Sequence, residues 1–342
     1  MCTTNPKVVH IPLEIAGQVG LICKFLREAG YHAYGFNYFE TYLKYDDVFH
    51  TEAYELIKVL EKLIDYYDIF HFHNGYSIME DFRDVLMIKA AGKKMIMHHR
   101  GNDVRFQCMA KRGKNYTNPY VKVENYLSDD MISKNLRFFA EHMDAAIVQD
   151  YELYNYVIDY YTEKGKPVYV LPRLINSKLI KPAYSEDYAR TPVIVHAPTH
   201  RGFKGSDIIE STIDKLRKER PLVYINIEGK SHKEALEHYI KADIVIDQIL
   251  CGTYGNVSVE AMAMGKVAVC YLRPDLIETF PGDLPIVSAN PDTLYHQLKK
   301  LIVNPNLISK IGKAGRAYIE EYHEGSKIIK QLVPIYEDIL KN

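Results

Sequence analysis

The chain of 342 residues lacks most of the short signatures that announce a chemistry. No two glycines are spaced GxG, and neither GxxxxGKS nor GxxxxGKT occurs, which excludes the dinucleotide fingerprint and the phosphate loop of NTPases. No two aspartates are spaced DxD, so the common metal-bridging device of metal-dependent, single-domain sugar transferases is missing, and without GxSxG there is no nucleophile elbow. Cysteine is scarce. The five residues Cys2, Cys23, Cys108, Cys251 and Cys270 are odd in number and contain no CxxC pair, which disfavours a disulfide framework or a zinc knuckle and suits a reducing cytosol. The first apolar run is short and meets Glu14, so neither a signal peptide nor an 18-residue membrane span is expected, and the sequons at Asn115 and Asn256 read as coincidence. Charge of one sign is lacking too: 43 Lys and Arg against 44 Asp and Glu leave a net charge of -1, so no nucleic-acid partner is expected.

What is present is ordinary globular material, 47% hydrophobic and 25% charged, in a length that implies two domains of roughly 150 to 180 residues. Short β-rich runs alternate with amphipathic stretches. The pattern predicts strands over 8–13, 68–73, 94–98, 145–148 and 168–171, with helices over 18–28, 52–66, 78–91, 130–141 and 150–163. Residues 172–192 carry prolines and few apolar anchors, and read as a linker. A second series follows, with strands over 193–196, 222–227, 244–247, 267–271 and 286–287, and helices over 205–218, 232–241, 257–264, 292–302, 306–321 and 326–340. Alternation of this kind implies two doubly wound parallel sheets, whose strand C-termini would surround a shared cleft.

Three segments concentrate the chemistry. His71-Phe-His73 and His98-His99 end two strands, with Asp103 nearby. A metal there is the less favoured reading, because no HExxH and no cysteine completes a set, and strand-tip histidines hydrogen-bonding a ligand or backbone are favoured instead. The segment His196-Ala-Pro-Thr-His-Arg-Gly-Phe-Lys-Gly205 presents Arg201 and Lys204 at a βα turn beside a helix N-terminus, a place suited to an anion. A solvated loop with two surface cations is the plainer reading of the same residues. Asp243 to Gly265 reads as a buried strand, a glycine-containing loop and a small-residue helix. The amides around Gly255, Asn256, Val257 and Ser258 would meet a phosphate, and Glu260, one turn inside the helix, can accept from two vicinal hydroxyls. A ribose beside a diphosphate satisfies both.

On these residues the chain resembles the retaining glycosyltransferases of the GT-B fold, and within them the large family 4, or group 1. The likeness rests on Asp-Ile-Phe-His-Phe-His-Asn-Gly (68–75), Gly-Lys-Lys-Met-Ile-Met-His-His-Arg-Gly-Asn-Asp-Val-Arg (92–105), Arg201 with Lys204-Gly205, and Tyr-Gly-Asn-Val-Ser-Val-Glu-Ala-Met-Ala-Met-Gly (254–265). It implies an α/β architecture of two Rossmann-like domains facing a cleft, with an acceptor domain over 1–180, a donor domain over 190–322 and a C-terminal helix over 325–342 that crosses back to the first domain. It further implies a nucleotide diphosphate sugar donor, most often UDP-linked, with Arg201 and Lys204 on the diphosphate and Glu260 on the ribose. Ala16-Gly17 looks like the family's Gly-Gly loop with one glycine replaced, which makes Gly17 a candidate for close backbone approach to the donor. Two departures stand out. The family's first glutamate, eight residues before Glu260, is Gly252 here, and the first-domain His-Gly pair is interrupted because Arg100 precedes Gly101. His99, Arg100 and Asp103 are therefore joint candidates for meeting the donor sugar.

The expectation is a cytoplasmic, metal-independent, retaining transferase that needs no cofactor and moves a sugar to a hydroxyl of a larger glycan, lipid-linked or phosphorylated acceptor. A GT-B nucleotide-sugar 2-epimerase and a non-catalytic nucleotide-sugar-binding subunit are the alternatives. Between 89 and 122, Lys89, Lys93, Lys94, Arg100, Arg105, Lys111, Arg112, Lys114 and Lys122 face only Asp103, with Phe106, Met109, Tyr116 and Tyr120 interleaved. That bias suits an anionic acceptor or peripheral contact with the inner face of an anionic membrane, and equally a solvated loop.

Overall fold

The computed structural model describes residues 5–111, 118–124, 127–185 and 191–341. They divide into two compact units, the first drawn from 1–109, 125–174 and 325–342, the second from 110–124 and 175–324.

The first unit runs β1 (Lys7–Ile11), α1 (Gln18–Glu28), β2 (His32–Asn37), β3 (Phe49–His50), α2 (Ala53–Tyr66), β4 (Ile69–His73), α3 (Arg83–Ala90), β5 (Lys94–His98), α4 (Gln107–Ala110), α5 (Asp129–His142), β6 (Ala145–Val148), α6 (Tyr151–Glu163) and β7 (Val168–Val170). Its sheet has the order β3-β2-β1-β4-β5-β6-β7, and every neighbouring pair is parallel. Helices on both faces explain why β6 reads as an unbroken apolar run and why every residue of β4 is buried, its two histidines included. The strand β2, absent from the sequence reading, alternates half-buried and buried residues around Gly35, where a Cβ would stand 2.7 Å from Val19 and 2.9 Å from Val48. Close packing of α1 thus requires glycine at a position that weakens the strand signal. The helix expected from residue 78 begins at Arg83, because Asp84 accepts from Ser77 Oγ (2.6 Å) and the Ile78 amide (2.8 Å) and ties that segment as a loop.

The second unit runs β8 (Val193–His196), α7 (Arg201–Lys204), α8 (Ser206–Arg217), β9 (Val223–Asn226), α9 (His232–Tyr239), β10 (Ile244–Ile246), α10 (Asn256–Ala263), β11 (Val267–Cys270), β12 (Val287–Ser288), α11 (Leu294–Ile302) and α12 (Pro305–Tyr322). Its parallel sheet has the order β12-β11-β10-β8-β9. Residues 110–124, placed by the sequence reading with the first half, belong here: Ala110, Tyr120 and Val123 share a core with Ile194, Ile209 and Leu250. The expected linker is also better anchored than its prolines suggest. Leu174 and Ile175 are buried, and the Ser177 amide donates to Glu324 (3.0 Å).

The last helix, α13 (Gly325–Lys341), belongs to the first unit, where Ile328, Ile329, Leu332, Ile335, Tyr336 and Ile339 pack with Ile22, Phe25 and Leu26 of α1. Gly325 admits this contact, since a Cβ there would lie 2.0 Å from the Phe25 ring. No helix among the described residues is long and apolar enough to cross a membrane.

Strand order locates the sites. In open α/β sheets, ligands bind beyond the strand C-termini where the winding reverses. In the first unit the chain winds outward through β2 and β3 and returns to the other side of β1, so the reversal lies between β1 and β4. In the second it lies between β8 and β10.

Candidate active site

At the second unit's reversal, β8 feeds a turn in which His200 Nδ1 accepts the Phe203 amide (2.9 Å) and starts α7. Gly205, with φ +79° and Ile249 only 2.6 Å from a notional Cβ, then redirects the chain into α8. This turn aims Lys204 at the end of β10. Its ammonium donates to the Asp247 carboxylate and to Gln248 Oε1 (2.9 Å), and all three side chains are buried. The other Asp247 oxygen accepts the Gly255 amide (2.7 Å) and the Ser258 hydroxyl (2.8 Å) at the start of α10. Burial alone would raise the Asp247 carboxyl; the Lys204 ammonium and these two donors outweigh it and hold the group below the usual carboxylate range.

Around this pair lie the other candidates of the second unit. Asn256 and Val257 are half-buried in the first turn of α10, and Asn256 Oδ1 is a buried acceptor without a partner among the described residues. Glu260, one turn on, accepts from His232 Nε2 (2.7 Å) at the start of α9. Arg201 points elsewhere: its guanidinium is shared among Asp207 (2.7 Å), Glu210 (2.7 Å) and Glu228, whose hydrogen bonds raise its pKa further. Gly252 has φ +91°, and a Cβ there would stand 2.3 Å from Arg273 Cγ. The missing glutamate therefore has a backbone reason in this chain, a left-handed turn lidded by an arginine.

The first unit's reversal gathers a different set. His99 Nδ1 meets Asp103 Oδ2 (2.7 Å) and His99 Nε2 meets the Tyr161 hydroxyl (3.0 Å), while Asp103 Oδ1 accepts the amides of Arg100 (3.1 Å) and Gly101 (2.8 Å). Burial would raise Asp103, but its bond to His99 and these amides leave it below its ordinary value. Two of the three joint candidates are thus consumed in holding the β5 turn. Arg100 remains, buried, with Nη2 3.2 Å from His73 Nδ1 and Nε without a partner among the described residues. Burial lowers its pKa to about 9, against the opposing pull of Glu14. That carboxylate accepts the amides of Val19 (3.2 Å) and Gly20 (2.8 Å), and so occupies the start of α1 itself. Gly17 has φ +74°, and a Cβ there would stand 3.1 Å from the edge of the Tyr45 ring.

Behind Arg100, four buried histidines from three adjacent strands meet: His10 of β1, His71 and His73 of β4, and His98 of β5. Burial keeps them neutral, driving His10 down to about 3 and the others well below their ordinary value. His10, His71 and His73 offer nitrogens within 4.8 Å of one another, which makes them the trio that could hold a cation. Hydrogen bonds already engage these nitrogens, among themselves and with Tyr336 of α13. Sequence reasoning found His71, His73 and His98 but missed His10, Tyr336 and Asp247. His10 could have been found by placing the first strand beside the fourth, whereas nothing local marks Tyr336.

Among the described residues of the basic run of 89–122, two cations and two rings are buried, while Lys89, Lys111 and Lys122 are exposed. Arg105 is buried on Glu152 (2.8 Å), Arg100 is buried beside His73, and Phe106 and Tyr120 are core residues. Lys94 pairs with Asp144 (3.7 Å), and Lys89 donates to the Glu141 carbonyl (3.1 Å). Lys111 and Lys122 fall in the second unit, while Arg112, Lys114 and Tyr116 lie outside the described residues. Buried positions took Arg100, Arg105, Phe106 and Tyr120, which a linear count assigns to one face with the rest.

Searched against protein-family models and curated proteins, the sequence matches none. Solved structures do match along nearly the whole chain. A sucrose-phosphate synthase from Thermosynechococcus elongatus aligns with a TM-score of 0.66 at 13% identity, over 98% of this chain and 100% of that one. A glycosyltransferase from Rickettsia africae gives 0.66 at 15% identity, over 99% and 100%. Anabaena HepE, solved with UDP and glucose, gives 0.61 at 11% identity, over 97% and 100%. The fold is GT-B. At these identities the likeness is one of architecture, and the GT-B neighbours are glycosyltransferases, some solved with UDP or UDP-glucose bound. In this GT-B chain both winding reversals are built around buried ionisable groups, which is where the functional argument rests.

Proposed function

We propose that the protein is a glycosyltransferase of the retaining, family 4 type, which uses a nucleotide diphosphate sugar, UDP-linked by preference, without a metal cofactor. The observation that carries this reading is the grouping of Lys204, the first turn of α10 and Glu260 at the second unit's reversal. An ammonium has three N–H donors, and Asp247 and Gln248 take two of those on Lys204, leaving one for a phosphate oxygen. The amides of Asn256 and Val257 and the positive end of α10 supply the rest. Glu260 keeps one carboxylate oxygen for ribose hydroxyls while His232 holds the other. Arg201 joins only by exchanging one of its three carboxylates for phosphate, so Lys204 carries the larger share. From the first unit Arg100 is the candidate cation, with His99 and Asp103 holding its turn. Gly17 is assigned to the turn itself, and with Gly252 in place of a glutamate the donor sugar would rely on Gln248 and backbone amides.

Departure of the nucleotide diphosphate builds negative charge, and fixed donors that strengthen against that charge accelerate the step. The leaving phosphate can take the acceptor hydroxyl's proton on the same face, which gives retention without a protein nucleophile. The acceptor is proposed to be a hydroxyl on a larger glycan, or on a lipid-linked or phosphorylated molecule. UDP or GDP in metal-free buffer should raise the melting temperature, with about 2.7 kcal/mol of stabilisation at 100 times the dissociation constant. No shift with either nucleotide, or a shift that needs Mg²⁺ or Mn²⁺, would overturn the site. Product analysis then separates transfer from epimerisation: glycoside plus free UDP in the first case, an epimeric donor in the second.

A further inference from the structure

The histidine cluster at the first unit's reversal has a direction, and it can be worked out from one residue. A guanidinium donates and never accepts, so at the 3.2 Å contact Arg100 Nη2 donates and His73 Nδ1 accepts. A neutral imidazole that accepts at Nδ1 carries its proton on Nε2, so His73 Nε2 donates to His10 Nδ1 at 3.0 Å. By the same rule His10 Nε2 donates to the Tyr336 oxygen at 3.2 Å. The Tyr336 hydroxyl then gives its own proton to His71 Nδ1 at 2.8 Å, and His71 Nε2 donates to His98 Nδ1 at 3.3 Å. His98 is left with its proton on Nε2, a buried donor without a partner among the described residues. Run backwards, the chain would bring a proton on His73 Nδ1 against the Arg100 N–H, so the opposite order requires Arg100 to leave. Complete burial, and ring stacking at 4.3 Å for His10 on His71 and 4.7 Å for His71 on His73, leave no room to hydrate an imidazolium.

We propose that Arg100, His73, His10, Tyr336, His71 and His98 form one directed hydrogen-bond chain, in which all four histidines hold the Nε2–H tautomer and, with Tyr336, act as positioning residues for the Arg100 guanidinium. Aligned donors polarise one another, so each link strengthens the next and the contact on Arg100 is firmer than a lone histidine would provide. Both ends of the chain finish in buried N–H donors, Arg100 Nε and His98 Nε2. The cluster therefore selects an oxygen acceptor, such as a phosphate or carboxylate group, and rejects a metal cation despite its histidine content. The positioning role rests on the proposal that Arg100 serves the phosphate-bearing donor; the tautomer assignment does not.

Long-range proton–nitrogen correlation spectra of the ¹⁵N-histidine-labelled whole protein at pH 7.5 test the chain without any substrate. The expected result is four neutral Nε2–H rings for His10, His71, His73 and His98, and a Nδ1–H or doubly protonated ring among them overturns the proposal. Arg100→Met removes the donor that sets the direction, so His98, five links away, should become a mixture of tautomers; a His98 signal unchanged in that variant also overturns it. Adding Co²⁺ to the wild type should leave the four ring signals and the visible spectrum unaltered, whereas a tetrahedral Co²⁺ absorption band lost in His71→Ala would make the cluster a metal site. For positioning, Tyr336→Phe keeps the ring and cuts the chain at its middle. Turnover of the donor that the wild type accepts should fall about tenfold or more in kcat, with KM for that donor unchanged. An unaltered kcat with scrambled tautomers refutes the positioning role. Should no donor turn over in the wild type while the four tautomers are as assigned, the transferase reading fails and the chain stands.

Discussion

The two winding reversals solve the same problem with opposite chemistry. Each holds polar groups at the end of a buried sheet, and burial penalises every charge it encloses. The second unit answers with charge against charge, Lys204 on Asp247, each satisfied further by Gln248, Gly255 and Ser258. The first answers with neutrality, setting one guanidinium against four uncharged imidazoles and a phenol. A paired charge is robust to pH but fragile to the loss of its partner. A neutral cluster is the reverse.

Acid is the sharpest way to separate them. The folded first unit keeps its four histidines neutral while the unfolded chain protonates them below about pH 6.5, so their contribution is complete above that pH and falls as the pH drops toward the His10 value of about 3. An unfolded histidine is only half protonated at about pH 6.5, so each removes at most about 1 kcal/mol between pH 6.5 and 5.5, and the four together at most about 4 kcal/mol. Glu14, whose carboxyl burial raises, offsets part of this loss at lower pH. In the second unit His196 is lowered in this way, to about 4, and the contribution of Asp247 is lost once the pH falls through the ordinary carboxylate range. Amide exchange between pH 7.5 and 5.5 should quicken in β1, β4 and β5 before β8 and β10. Simultaneous loosening of both units would remove the contrast.

Next in size is the loss of a partner. Lys204→Met leaves Asp247 as a buried, uncompensated charge and should cost about 3 to 5 kcal/mol in urea unfolding, with much of it restored by adding Asp247→Asn. Arg201→Ala, which removes the exposed cation among three carboxylates, should stay within about 1 kcal/mol. Equal costs would mean that Lys204 and Asp247 are wetter than their burial implies. The smallest expected difference lies in the two left-handed glycines. Gly252→Ala must displace the stem of Arg273, and should cost about 1 to 3 kcal/mol. Gly17→Ala meets only the edge of the Tyr45 ring at 3.1 Å, so it should lose about 1 kcal/mol, the intrinsic cost of the conformation. A reversal of that order in melting experiments would place the tighter turn in the first unit.

Most strands were legible in the sequence for the reason that makes the sheets parallel. Residues 95–97, 145–148 and 193–195 form unbroken apolar runs, and all of them but the half-buried Val193 are buried, which marks these strands in the sequence. The strand β2 escaped because Gly35 and the half-exposed His32, Tyr34 and Phe36 blur that run. Lys204 and Glu260 were visible because each lies beside its own helix start, a local relation. Asp247 was read only as the end of a strand, since its role depends on Lys204, 43 residues away, and Tyr336 meets His10 across 326 residues. The burial of Arg100 and Arg105 was missed for the complementary reason: a linear charge count ignores which cations a fold draws inward.

The placement of α13 has a consequence for the order in which the nascent protein can mature. A ribosome releases residues 175–324 before 325–341, so most of the second unit is available to close while the first unit still lacks the helix that covers Ile22, Phe25 and Leu26. Until Tyr336 emerges, His10 Nε2 and His71 Nδ1 have no phenol between them, and their buried seats are open to water. Synthesis therefore inverts the usual sequence, in which the N-terminal domain matures first. The half of the protein made earliest is therefore not complete until α13 has been made.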